Sequence, residues 1–122
     1  MWSFAGMSIS YKYNEDEALQ EIKKYVDATY AEHYSGKYQA TDMIIDAGHG
    51  TGFCIGNIMK YAKRYGKKGG YNKKDIMKII HYAIIELYVQ DLQDKLDKSN
   101  QLNVSCNEEP LHISTSHYYN VP

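Results

Sequence analysis

The sequence predicts an all-α protein, a small helical domain of three to four helices. Two observations carry the prediction. Apolar residues recur at steps of three and four in three separate stretches, over residues 15–33, 53–65 and 73–98, and helix start and stop residues stand at the ends of those stretches. At 122 residues and 43% hydrophobic composition the chain is the length of one ordinary domain and long enough to bury a core. The organisation expected is one helical domain over residues 1–99 and an extended or disordered C-terminal tail over 100–122.

The first ten or so residues show no period, and Met7 offers an alternative start. Asn14 followed by Glu15, Asp16 and Glu17 reads as a helix start, a capping side chain with acids in the first turn. Leu19, Ile22, Val26, Tyr30 and His33 then repeat at helical spacing, opposite a solvated face of Glu21, Lys24 and Asp27. Residues 34–40 contain Ser35 and Gly36 and read as a loop. Thr41 is placed to cap a short helix that ends in Gly48, Gly50 and Gly52. Asp42 and Asp46 share a face of it, spaced to orient a nearby cation or help hold a magnesium ion; the plainer reading is an acid favoured by the helix dipole and a solvated one. The run Gly48-His49-Gly50-Thr51-Gly52 lacks the Gly-Lys-Ser/Thr of a phosphate loop and no strand pattern precedes it, so it reads mainly as a flexible connector.

The central stretch, 53–65, has two stripes. Ile55, Ile58, Met59, Ala62 and Tyr65 form an apolar one; Asn57, Lys60, Tyr61 and Arg64 form a polar, cationic one. Gly66 is expected to end the helix in a left-handed cap, delivering Lys67 and Lys68 just beyond it. By charge alone these residues describe a solvated helix face. Gly56 and Asn57 tilt the reading, because each costs up to about 1 kcal/mol in a helix interior and calls for a reason, such as close approach of a neighbour or a ligand. An amide, two long cations and a phenol followed by a Lys-Lys-Gly-Gly loop suit a phosphorylated ligand. Asn72 is expected to cap the longest helix, with Asp75 as its box-like acid. Its Ile76, Ile79, Ile80, Ala83, Ile84, Leu87 and Tyr88 cover more than half the circumference, more than one core requires. This long helix, the third when the short Thr41-capped one is not counted, is therefore expected to join subunits of a homo-oligomer. Asp75, Lys78 and Tyr82 form a narrow polar strip within it.

Composition narrows the function further. A net charge of −1 argues against general nucleic-acid binding, whereas Lys60, Lys63, Arg64, Lys67, Lys68, Lys73, Lys74 and Lys78 form a local basic run that would attract a compact anion. Cys54 and Cys106 are not spaced as metal ligands, which points to a reducing compartment. No basic leader and no long apolar run is present, so the expectation is a soluble, cytoplasmic protein without membrane association. Thirteen tyrosines against two phenylalanines suit wet interfaces or base stacking as well as core packing.

Taken together, His33-Tyr34, the acid Asp42, the run Gly-Asn-x-x-Lys-Tyr-x-x-Arg-x-Gly-Lys-Lys at 56–68, and Asp75-x-x-Lys78 with Tyr82 resemble the SaV-like family of small bacteriophage proteins. That family includes the nucleotide kinase of T7-type phages, whose corresponding run also reads Gly-aromatic-Cys-hydrophobic-Gly-Asn. The resemblance spans 33–88, about half of the chain. It implies a mostly helical, oligomeric protein in the cytoplasm of an infected bacterium, transferring a phosphoryl group from ATP or another nucleoside triphosphate to a deoxynucleoside monophosphate. Mg2+ is compatible with that chemistry, though nothing in the sequence calls for it. Under this reading Lys60 and Arg64 are the catalytic pair, and Lys67 and Lys68 hold phosphates with them. Asn57 reads a base or ribose, and Asp42 and Asp75 orient cations. His33 donates to phosphate, Lys78 joins the cationic face, and Tyr34, Tyr61 and Tyr82 stack on a base. Lys60→Ala and Arg64→Ala are expected to abolish transfer with the fold intact. The chain departs from the T7-type kinase in lacking its long region before the His-Tyr pair and in having its own first helix and tail. Other members of the family are targets of a bacterial abortive-infection system, so a second reading is a non-catalytic binder of a nucleotide or a host protein. A helical nucleotide pyrophosphatase ranks last, because it needs a dense carboxylate cluster and the sequence scatters Asp42, Asp46, Asp75 and Glu86.

Overall fold

A computed structural model describes residues 8–33 and 39–104. They form four helices: α1 (Glu15–His33), α2 (Ala40–Asp46), α3 (Gly50–Arg64) and α4 (Lys73–Val104). The chain divides into two compact units, Met1–Ser35 containing α1 and Gly36–Pro122 containing α2, α3 and α4. No helix among the described residues is long and apolar enough to cross a membrane.

α1 begins where its acids predict, but Asn14 does not cap it as a side chain. Asn14 takes a left-handed conformation with φ 56°, its carbonyl accepts from the Ala18 N–H, and the Tyr13 N–H donates to Glu15 Oε1. Of the predicted apolar stripe Ile22 is buried and Val26 half-buried, whereas Leu19 and Tyr30 are exposed. Lys23 pairs with Asp27 at 3.1 Å on the solvated side.

α2 starts one residue before Thr41. Gln39 is its N-cap, and the Asp42 carboxylate accepts from the Gln39 N–H at 2.8 Å. α3 starts at Gly50, three residues before the predicted Phe53, so Gly50, Thr51 and Gly52 form a helical turn rather than a connector. The reason is steric. A Cβ at Gly50 would stand 3.0 Å from Val89 Cγ2 and 3.3 Å from Ile45 Cγ1, so glycine lets α2, α3 and α4 converge there without displacing Val89 or Ile45.

α3 and α4 form an antiparallel hairpin. Gly50 lies beside Val89, Thr51 beside Glu86, Phe53 beside Tyr82, Tyr61 beside Lys78 and Arg64 beside Asp75, so each step up one helix is a step back along the other. The turn is built as the glycines predict: Gly66 has φ 84° and donates to the Gly70 carbonyl, while the Lys67 and Lys68 N–H groups both donate to the Arg64 carbonyl. Asn72 Oδ1 accepts from the Lys74 N–H, the predicted cap, but the Asp75 carboxylate turns to Arg64 instead of completing a box. α4 continues to Val104, past the predicted end at Lys98, so residues 99–104 are helix rather than tail. Gln90 to Asp94 and Gln93 to Asp97, each 2.9 Å, support this polar end at the i,i+4 spacing. The predicted tail beyond 104 lies outside the described residues.

Candidate functional site

The face that α3 turns to α4 is the polar one. Tyr61 and Arg64 meet α4, and Cys54 is fully buried, whereas Ile55 and Met59 of the apolar stripe are 43% and 66% exposed. A cationic helix face pointed at a neighbouring helix needs partners there, and α4 supplies Asp75, Lys78 and Tyr82.

Asp75 is the anchor. It is 2% exposed in the first turn of α4, and its Oδ1 lies 3.5 Å from Arg64 Nε, while the rest of the Arg64 side chain reaches solvent. Neither Arg64 Nε nor Asp75 Oδ2 has a hydrogen-bond partner. The pair is thus a close charge contact with donor and acceptor capacity still in hand.

One turn further along the hairpin, Tyr61 and Tyr82 stack, with centroids 6.2 Å apart and planes 14° apart, and Phe53 meets Tyr82 edge-on at 5.6 Å. Two ammonium groups share the Tyr61 ring: Lys60 Nζ at 5.2 Å from α3 and Lys78 Nζ at 5.4 Å from α4. The ring's quadrupole attracts each cation, but two like charges on one ring repel. His81, close by on α4, is held below its ordinary 6.5 first by burial and then by the Lys78 charge, so it is neutral at pH 7.

At the other end of the hairpin, Thr51 donates to Glu86 Oε2 at 2.9 Å and Glu86 Oε1 is buried without a hydrogen-bond partner. The carboxylate stands beside the first turn of α3, where the helix dipole favours negative charge. Burial first, and the Glu86 charge second, push the Cys54 thiol from 9.0 up to about 11, which makes it an inert core group.

The hairpin therefore brings together Lys60, Tyr61, Arg64, Asp75, Lys78 and Tyr82, with Lys67 and Lys68 exposed in the turn next to Arg64. Asn57 sits on the same side of α3, but its Nδ2 donates to the Phe53 carbonyl at 2.8 Å, committing that end of the amide to its own helix. Asp42 is not brought to this group. It lies within a turn of Ile45, which packs at Gly50, and Gly50 is about 21 Å along α3 from Arg64. His33 ends α1 in the other unit, and Tyr34 lies outside the described residues. Phe53 is the site residue that sequence reasoning missed; its position one turn before Asn57 on the polar stripe was the available signal. A Cβ at Gly56 would meet nothing within 4 Å, so tight helix packing is not the reason for that glycine, and the space beside it is open. Among the described residues, no three His, Cys, Asp or Glu side chains gather as metal ligands would.

Comparison with known families finds similarity to one, described as a protein of unknown function (DUF3310), whose model matches residues 28–84. No curated protein and no solved structure matches the chain. The matched stretch runs from the end of α1 into the first three turns of α4, and so takes in the whole cationic and aromatic group of the hairpin.

Proposed function

We propose that the cationic, aromatic side of the α3–α4 hairpin binds a phosphorylated nucleotide, and that the protein is a deoxynucleoside monophosphate kinase using ATP or another nucleoside triphosphate. The observation that carries this reading is the pair of lysines, one from each helix, held against the Tyr61 ring, which a phosphate would bridge. The resemblance of 33–88 to the SaV-like family supplies the substrate class and the setting, the cytoplasm of an infected bacterium, and agrees with assembly as a homo-oligomer.

In the reaction an oxygen of the acceptor monophosphate attacks the γ-phosphorus of the donor, the bond to the β-phosphate oxygen breaks, and two diphosphates leave. Lys60 and Lys78 neutralise the charge spread over the transferred group, and Lys67 and Lys68 hold the distal phosphates. Arg64 presents its outer nitrogens, fixed in direction by Asp75, which is a positioning residue. Tyr61, Tyr82 and Phe53 offer ring faces and edges to a base. Mg2+ is compatible with this reading as part of the donor complex.

A second reading, binding of a nucleotide or a host protein without turnover, is favoured by one detail: Arg64 directs Nε to a buried aspartate, leaving the lysines as the outward cations. Incubation with ATP and each deoxynucleoside monophosphate, followed by chromatography, separates the two. The kinase reading expects diphosphates, and a loss of at least about 100-fold in Lys60→Ala with unchanged thermal stability, since Lys60 is exposed. Binding without product would establish the second reading, and unchanged turnover in Lys60→Ala would remove the site.

A further inference from the structure

Part of the apolar surface of α4 lies on the outside of the hairpin. On α4, Ile80, Ile84 and Leu87 are 37%, 43% and 67% exposed. They fall within about 60° of one another around the helix axis. Lys73 and Asp91 lie on the same stripe, because they stand about five full turns apart, one at each end of the apolar run. The stripe thus reads cation, isoleucine, isoleucine, leucine, anion. This stripe lies almost opposite the residues by which α4 meets α3, which are Asp75, Lys78, Tyr82, Glu86 and Val89.

We infer that this face binds a second copy of the chain, with the two α4 helices antiparallel about a twofold axis beside residue 82. In that register Ile80 of one copy meets Ile84 of the other, Leu87 covers Ile76 and Ile80, and Lys73 faces Asp91 at both ends. A parallel pairing would set Lys73 against Lys73 and Asp91 against Asp91, so the charge pattern selects the antiparallel one. The inference specifies the oligomer's geometry and does not rest on nucleotide binding, since the nucleotide side of the hairpin stays open.

Sedimentation velocity on the full chain at micromolar concentrations tests it. The wild-type chain is expected to be dimeric, and Leu87→Glu monomeric with its helical circular dichroism retained. Lys73→Glu and Asp91→Lys should each weaken the dimer roughly ten-fold, because each puts like charges at both ends of the interface. The double variant should recover wild-type dimerisation. Mixing the two single variants should also recover it, because the mixed dimer alone pairs opposite charges at both ends. A monomeric wild-type chain would overturn the inference. So would a dimer indifferent to Leu87→Glu, or one that the double variant and the mixture fail to restore.

Discussion

The two ends of the α3–α4 hairpin are held together by different means. At the Gly50 end the contact is one of shape: a missing side chain lets Val89 and Ile45 close on the backbone, and Cys54 beside it is fully buried. At the Arg64 end it is one of charge and rings, with a buried aspartate, a half-exposed arginine and two lysines on a tyrosine. Close packing stabilises without asking anything of a ligand. Crowded cations and an incompletely hydrogen-bonded ion pair contribute less to stability, and keep interaction capacity for something that binds.

That contrast breaks most visibly at high pH. Cys54 keeps its proton up to about pH 11 in the folded chain but loses it near 9.0 when unfolded. Its contribution is complete below pH 9 and is lost as pH rises towards 11, a change of about 3 kcal/mol across that window. Urea midpoints measured from pH 8 to 11 should fall faster for the wild-type chain than for Cys54→Ala, which lacks the titrating thiol. Equal slopes would mean that water reaches the Gly50 end of the hairpin.

At the charged end, Arg64→Ala strands the carboxylate of Asp75, at a cost of about 2 kcal/mol after allowance for the exposed part of the arginine. Lys60→Ala, at an exposed position, is the cleaner probe of activity. Adding Asp75→Asn to Arg64→Ala should recover part of the lost stability in the same urea experiment. Independent, additive losses would show that the two side chains do not act as a pair.

The smallest effect is the sharpest test of purpose. Gly56→Ala puts a methyl group into open space in mid-helix, so it should raise stability by up to about 1 kcal/mol. If the space beside Gly56 serves the nucleotide, affinity should drop in the same variant, as read by isothermal titration with a deoxynucleoside monophosphate.

Periodicity made α1, α3 and α4 legible, and spacing made the Lys60, Arg64, Asp75, Lys78 and Tyr82 group legible, because residues three and four apart must share a face whatever that face meets. What periodicity does not tell is which face turns inward. The two stripes of α3 do not by themselves say that Tyr61 and Arg64 meet α4 while Met59 is exposed. Helix ends were missed for local reasons: Gly50 reads as a breaker until its packing is known, and residues 99–104 have no apolar period to mark them. Asn57 looked available for a ligand because its bond to the Phe53 carbonyl leaves no trace in composition.

The turn from Gly66 to Gly70 has an evolutionary consequence. Every pairing along the hairpin depends on the number of residues in it, and the Tyr71 ring already fills the space where a Gly66 side chain would stand, 2.7 Å from a Cβ. Deleting or adding one residue there would rotate α4 by about 100° against α3 and bring Lys74 or Ile76 round in place of Asp75. Descendants of this chain can therefore drift in length beyond Gln90, where α4 runs past the end of α3, but between α3 and α4 they are held to a fixed count.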